Sequence, residues 1–209
     1  MPKIYLLPIS EAENIPEAYC AAHFPQRFAR SRKFLRHEDV LRCIGAGALL
    51  HGILGLEESE IRIGAYGKPY ANTPFNLSHS GKYVLLAVDT AEIGADIEAH
   101  NPHSLSVAKS AFLPEESAWM NQVPSEQIQR FYTLWTLKES VMKLFGLGLR
   151  LAPDSFSVLP LVSHGNTVMR GQTLYAHSAS TDGHTLSVCA IHCFDTPDIQ
   201  YVCADMLLR

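Results

Sequence analysis

Hydrophobic and polar positions along the chain follow two periods, one of about 2 and one of about 3.6 residues, and the switches between them outline the elements. KIYLLPI, residues 3–9, predicts a first strand. Residues 37–54, HEDVLRCIGAGALLHGIL, carry apolar side chains at helical spacing and predict a helix that begins at His37 or Glu38, with glycines that permit close packing. IRIGAYGKPYAN, residues 61–72, predicts a strand running into a turn, because Gly-Lys-Pro supplies both φ freedom and a break. YVLLAVDT and IGADIE then predict two strands joined by a short turn at residues 90–92, with Asp96 and Glu98 on the second.

In the second half, SLSVAKSAFLPEESAWM and SEQIQRFYTLWTLKESVMKLFGLG have helical spacing, the latter closing at Gly146 or Gly148. The tail predicts strands in SFSVLPLV, TLYAHSAS, TLSVCAIHCF and IQYVCADMLL. NPHS, residues 101–104, reads as a linker between an N-terminal half, 1–100, and a C-terminal half, 101–209. Each half combines strands with one or two helices, and FSVLPLV and LSVCAIHCF resemble the apolar strands of the first half. The repeat is weak.

A chain of 209 residues with 47% hydrophobic content can bury a full core as one large domain or two small ones. A formal net charge of -4 argues against a general nucleic-acid binder, so any basic site is local. No run approaches the roughly 20 apolar residues that span a bilayer, and the first 20 residues do not form a secretory signal. The five cysteines form no C-x-x-C pair, and the odd count fits reduced, buried thiols in a cytoplasmic protein.

Side chains two apart on a strand share a face, which puts Asp96 and Glu98 on one side about 6 to 7 Å apart. Such a pair can share a hard cation or form a solvent-facing polar stripe, the commoner case; the small, apolar GADI context, following an apolar strand, weakens the stripe reading. On the following long helix Trp135, Glu139 and Lys143 recur every four residues near one face. Glu139 is therefore a third carboxylate for a magnesium site, or one half of an ordinary surface pair with Lys143. Six of the 17 lysines and arginines, Arg27, Arg30, Arg32, Lys33, Arg36 and Arg42, fall between residues 27 and 42. They form either a solvated helix face or an anion site. Lys68, His79, Lys138 and Lys143 add further phosphate partners, and magnesium with many cations suggests a polyphosphate substrate.

GKPY at 67–70, FNLSHS at 75–80, IGADIE at 93–98 and WTLKESVMKLFGLGL at 135–149 resemble, in order and spacing, the signatures of 4'-phosphopantetheinyl transferases. The similarity is greatest to the longer, monomeric type that activates surfactin and related peptide synthetases. It covers most of the chain, since RFARSRKFLRHEDVLR and DSFSV also resemble that type. Ala95, where a larger aliphatic residue is common, and Leu77, at the variable position of the N-x-S-H motif, are minor departures.

The resemblance implies an α+β pseudo-dimer, two similar halves in one chain with the active site at their seam. It implies transfer of 4'-phosphopantetheine from coenzyme A to a serine of an apo acyl- or peptidyl-carrier protein, with release of 3',5'-ADP. By motif match, Asp96, Glu98 and Glu139 hold Mg²⁺, Glu139 deprotonates the serine directly or through a water, and Lys143, assisted by Lys138, stabilises charge on the phosphates. Ser78 and His79 contact the coenzyme phosphates, Lys68 and Pro69 with their turn lie by the adenine, and Arg27 and Arg30 lie near the 3'-phosphate. The expected protein is a cytoplasmic monomer with no nucleic-acid or membrane partner.

Two other readings share these residues. A magnesium-dependent nucleotide pyrophosphatase needs water as nucleophile and no protein acceptor. A non-catalytic module that binds coenzyme A or another anion through the basic segment keeps its affinity when Glu139 is replaced by glutamine.

Overall fold

The computed structural model describes residues 1–208, the side chain of Leu149 excepted. Strand β1 (Lys3–Pro8) leads through the short helices α1 (Ile9–Ala12), α2 (Glu17–His23) and α3 (Pro25–Ser31) to the long α4 (His37–Leu54). The expected bounds of α4 hold, and its glycines work as close contacts: a Cβ on Gly47 would lie 2.6 Å from the ring of Phe24. A small hairpin, β2 (Arg62–Ile63) and β3 (Pro69–Tyr70), precedes β4 (Phe75–Ser80), β5 (Tyr83–Val88) and β6 (Ile93–Ala99).

The second half begins with 3₁₀ turns and continues through α5 (Ala108–Ala111), α6 (Pro114–Asn121), the long α7 (Gln127–Phe145) and α8 (Leu159–His164). It closes with β7 (Asn166–Met169), β8 (Gln172–Thr181), β9 (His184–Ala190), β10 (Asp198–Tyr201) and α9 (Ala204–Leu207). Two expectations fail locally. The helical spacing of residues 104–120 is split, because Pro114 starts a new helix at its first turn. SFSVLPLV, read as a strand, includes instead the helix Leu159–His164, whose first turn holds Pro160.

The protein is α+β, with two four-stranded sheets ordered β10-β1-β5-β4 and β6-β9-β8-β7. α4 packs on the first sheet through Leu41, Leu49 and Leu50 against Leu7, Val84 and Leu86. α7 packs on the second through Leu134, Leu137 and Val141. The other sheet faces meet in a third core, where Ile4, Leu6 and Leu85 face Ile93, Ala95, Ile97 and Val188. Alternate residues of β5 therefore serve different cores, which is why YVLLAV is apolar throughout.

The expected break near residue 100 does not divide the sheets. β6 pairs along its length with β9 and belongs to the second sheet, so the chain changes sheets between Val88 and Ile93. β10 then crosses back to pair parallel with β1. β5 and β6, consecutive in sequence, are not paired with each other. Of the five cysteines only Cys20, Cys43 and Cys189 are buried; Cys193 lies beyond the end of β9 and is exposed. No helix among the described residues is long and apolar enough to cross a membrane.

Candidate active site

β4 and β6 are edge strands of different sheets that run side by side without pairing through their backbones. The polar side chains of β4 bridge the gap. Asn76 Oδ1, Ser78 Oγ and Ser80 Oγ accept hydrogen bonds from the backbone N–H groups of Ala95 (2.9 Å), Ile97 (3.4 Å) and Ala99 (3.1 Å). The period-two pattern in FNLSHS is thus a ladder of side chains that satisfies an otherwise unpaired strand edge. The same hydroxyls hold the acids of the next strand: Ser78 donates to Asp96 Oδ1 at 2.7 Å and Ser80 donates to Glu98 Oε2 at 2.6 Å.

Ile93, Ala95 and Ile97 enter the core between the sheets, so Gly94, Asp96 and Glu98 face α7. A Cβ at Gly94 would stand 1.9 Å from Ser140 O and 2.4 Å from Leu144 N. Glycine there lets the helix rest directly on the strand, and Glu139 and Lys143 come down beside the two acids. Lys143 Nζ donates to Asp96 Oδ1 at 2.6 Å and to Ser78 Oγ at 2.9 Å. α7 ends at Gly146 in a left-handed cap, at one of the two expected positions.

Asp96, Glu98 and Glu139 open together into one cavity of about 490 Å³. Its remaining polar wall is basic or neutral: Arg27 and Arg30 from α3, Lys143 from α7, and Ser78 and His79 from β4. Burial, and then the charge of Asp96, raises both the Glu98 and the Glu139 carboxyls above their ordinary value. Burial, aided by the Arg42 and Lys143 cations, holds the His79 imidazole below its usual value. Burial also lowers Arg27. Glu58 positions the start of α3, accepting hydrogen bonds from the backbone N–H of Gln26 (2.7 Å) and Arg27 (2.8 Å).

The donor set fits a hard divalent cation. All three ligands offer carboxylate oxygen, and Asp96 Oδ2 is buried without a hydrogen-bond partner. Burial, and then the charge of Asp96, raises two of the three carboxyls, a cost that a cation offsets.

Other expected site residues are placed differently. Lys138 points away from the cavity, since one step along a helix turns the side chain by about 100°. It is fully buried in an ion pair with Glu116 at 2.8 Å and donates to the carbonyls of Pro153 (2.8 Å) and Phe156 (2.6 Å). Burial lowers its pKa, opposed by Glu116. Its expected assistance to the phosphates is corrected to a structural role. Lys68 spends its donors on Glu92 (2.8 Å) and the carbonyls of Ile93 and Leu144 (both 3.3 Å), clamping the β2–β3 turn to α7; it lines an adjoining cavity with Glu139 and Lys143, and Gly67 and Pro69 reach both cavities. Of the basic segment, Arg27 and Arg30 line the cavity; Arg42 instead anchors the Gly81 carbonyl at 2.7 and 3.0 Å. Asn76, Ser80 and Gly94 also shape the site; the alternating polar residues of FNLSHS are the signal for the first two, and nothing in that pattern marks Gly94.

Comparison with known proteins agrees with this constellation. A model of the 4'-phosphopantetheinyl transferase superfamily matches residues 92–189, the span that holds all three carboxylates. The chain is 35% identical over 217 aligned residues to the 4'-phosphopantetheinyl transferase Sfp of Bacillus subtilis (strain 168), covering 96% of both chains. The chain belongs to the 4'-phosphopantetheinyl transferase superfamily. It is also 39% identical over 140 residues to the 4'-phosphopantetheinyl transferase ffp of Bacillus subtilis, covering 62% of each. With the AcpT transferase of Escherichia coli O157:H7 it shares 39% identity over 110 residues, 49% of this chain and 55% of that one. The superfamily match begins at Glu92 and ends at Cys189, so it spans β6, α7 and their sheet, while β4 and the basic helix that complete the cavity lie before it.

Proposed function

We propose that this chain transfers the 4'-phosphopantetheine group of coenzyme A to a serine of an apo carrier protein, with Mg²⁺ held by Asp96, Glu98 and Glu139. The observation that carries the reading is the convergence of three carboxylates from β6 and α7 on a cavity whose rim is formed by Arg27, Arg30 and Lys143. That pattern suits a diphosphate bound with its metal, the cations taking the phosphate oxygens.

Held by Asp96, Glu98 and Glu139, Mg²⁺ would supply positive charge to neutralise the diphosphate. Glu139 opens into the cavity beside Lys143 and takes the proton of the carrier serine, directly or through a water. The serine oxygen forms a bond to the β-phosphorus as the diphosphate P–O bond breaks, and 3',5'-ADP leaves with the electron pair. Lys143 spends two hydrogen bonds on Asp96 and Ser78, which leaves its third proton for the developing charge. Arg27 and Arg30 hold the 3'-phosphate end. Ser78 acts chiefly by holding Asp96, and His79, largely neutral at pH 7, is a hydrogen-bond partner for a phosphate at the cavity's edge. The chain works as a monomer, since both walls of the cavity come from one polypeptide.

Intact-protein mass spectrometry of an apo carrier protein incubated with the chain, coenzyme A and Mg²⁺ tests the proposal. A gain of one phosphopantetheine, abolished by EDTA and by a Ser→Ala carrier, is the expected result. Release of 3',5'-ADP without a mass gain on the carrier would replace the transferase by the pyrophosphatase reading.

A further inference from the structure

A second cluster of ligating side chains lies elsewhere in the first half. His23 ends α2, His51 stands in the last turn of α4, and Glu57 follows shortly after the glycine that caps α4. None of the three lines the carboxylate cavity. One ligand atom from each lies within 4.8 Å of the others.

His23 Nδ1 and His51 Nδ1 stand 3.8 and 3.5 Å from the same oxygen, Glu57 Oε1. These separations are long for hydrogen bonds. They are close to the about 3.3 Å that two ligands keep when each is about 2.0 to 2.1 Å from a tetrahedral Zn²⁺. The imidazoles stack with centroids 3.9 Å apart and a 23° tilt. His51 Nδ1 is buried and has no hydrogen-bond partner. Tyr19 packs on both rings, at 4.6 and 5.6 Å, and its hydroxyl is tied to Leu207 O at 2.8 Å, so the pair is held from behind. The C-terminal end of the 18-residue α4 adds partial negative charge beside the cluster.

We propose that His23, His51 and Glu57 bind a divalent transition-metal ion of the zinc class, separate from the carboxylate site. Two imidazoles and one carboxylate, with water completing the shell, are a donor set for Zn²⁺ rather than Mg²⁺. The side chains are 34%, 21% and 51% exposed, which leaves an ion a way in. The ion ties the end of α2 to the end of α4 and to the segment whose next residue, Glu58, holds the first turn of α3. It therefore braces the helix that presents Arg27 and Arg30.

The test uses the full chain stripped with EDTA and returned to excess Mg²⁺. Zn²⁺ is titrated by calorimetry and Co²⁺ by visible absorption in the wild type and in His23→Gln, His51→Gln, Glu57→Gln and Asp96→Asn. The expected result is one site whose affinity falls more than about tenfold with each of the first three substitutions, beyond the lower end of what outer-shell partners cost. Asp96→Asn leaves it unchanged, and Zn²⁺ raises Tm in the wild type alone among the first four proteins. Wild-type protein that takes up no Zn²⁺ at micromolar concentration overturns the proposal, as does equal affinity in the three variants. Glu57 is half exposed, so Glu57→Gln keeps the ring packing and decides the matter if either histidine variant fails to fold.

Discussion

Ser78 Oγ donates a 2.7 Å hydrogen bond to Asp96 Oδ1, and its own oxygen receives Lys143 Nζ at 2.9 Å. One hydroxyl therefore joins β4, β6 and α7 at the floor of the cavity, where Asp96 is 3% exposed. Ser78→Ala is expected to lower stability by about 1 to 3 kcal/mol, the range for losing a hydrogen bond to a buried charge, and to raise the Mg²⁺ concentration that half-activates the enzyme. Denaturant unfolding and a Mg²⁺ titration of turnover measure the two effects. Unchanged stability with only a weaker KM for coenzyme A would show that the hydroxyl serves the substrate instead.

Gly94 decides whether the carboxylates can meet. In Gly94→Ala the new methyl collides with the backbone of α7 at Ser140 and Leu144, a contact no rotamer can relieve. The helix must lift from β6, at a cost of at least about 1 to 3 kcal/mol. Thermal unfolding should show the loss, and turnover should drop in the protein that still folds, because Glu139 moves with the helix. A wild-type Tm would contradict the close packing.

Glu139→Gln keeps the shape of the side chain and removes the proposed base. Turnover is expected to fall on the order of 10² to 10⁴, the range for one general acid–base group, while coenzyme A still binds in calorimetry. Turnover at the wild-type rate would remove Glu139 from the chemistry.

The raised carboxyls of Glu98 and Glu139 make the metal-free protein sensitive to pH. Because their folded-state values lie above the ordinary value of 4.5, the folded form holds their protons longer than the unfolded chain does. Their favourable contribution is complete below that value and is lost as pH rises through the raised values. Without Mg²⁺, Glu139→Gln should therefore gain stability relative to the wild type between pH 4 and pH 7. Adding Mg²⁺ should restore the wild type's advantage, because the ion stabilises only the form that binds it. Tm measured for both proteins across this range, with EDTA and with Mg²⁺, checks the sign; a difference that does not vary with pH refutes it.

Lys138 and Lys143, five residues apart on α7, should separate stability from catalysis. Lys138→Met strands Glu116 as an unpaired buried charge and is expected to cost about 3 to 5 kcal/mol. Whatever folds should keep its KM for coenzyme A. Lys143→Met removes the cation that faces the cavity and should reduce turnover with a smaller change in Tm. If Lys138→Met raises KM strongly at normal stability, the lysine reaches the coenzyme after all.

Local pattern determined much of this protein. Helical spacing and a terminal glycine were enough to place α4 and the end of α7, and strand alternation was enough to put Asp96 and Glu98 on one face, because both follow from the geometry of a few consecutive residues. The four motifs together implied the family. Tertiary structure decided the rest. Consecutive strands β5 and β6 belong to different sheets because β6 pairs with β9, nearly a hundred residues away, and a strand's own residues do not name its partner. Lys138 and Lys143 look equally suited to phosphate in sequence, yet the helix is rotated so that Lys138 meets Glu116 in the core and Lys143 meets Asp96 in the cavity. Lys68 likewise closes on Glu92 once the turn docks. A side chain's charge is written in the sequence, whereas the partner that consumes that charge depends on which surfaces come together when the two sheets and their helices pack.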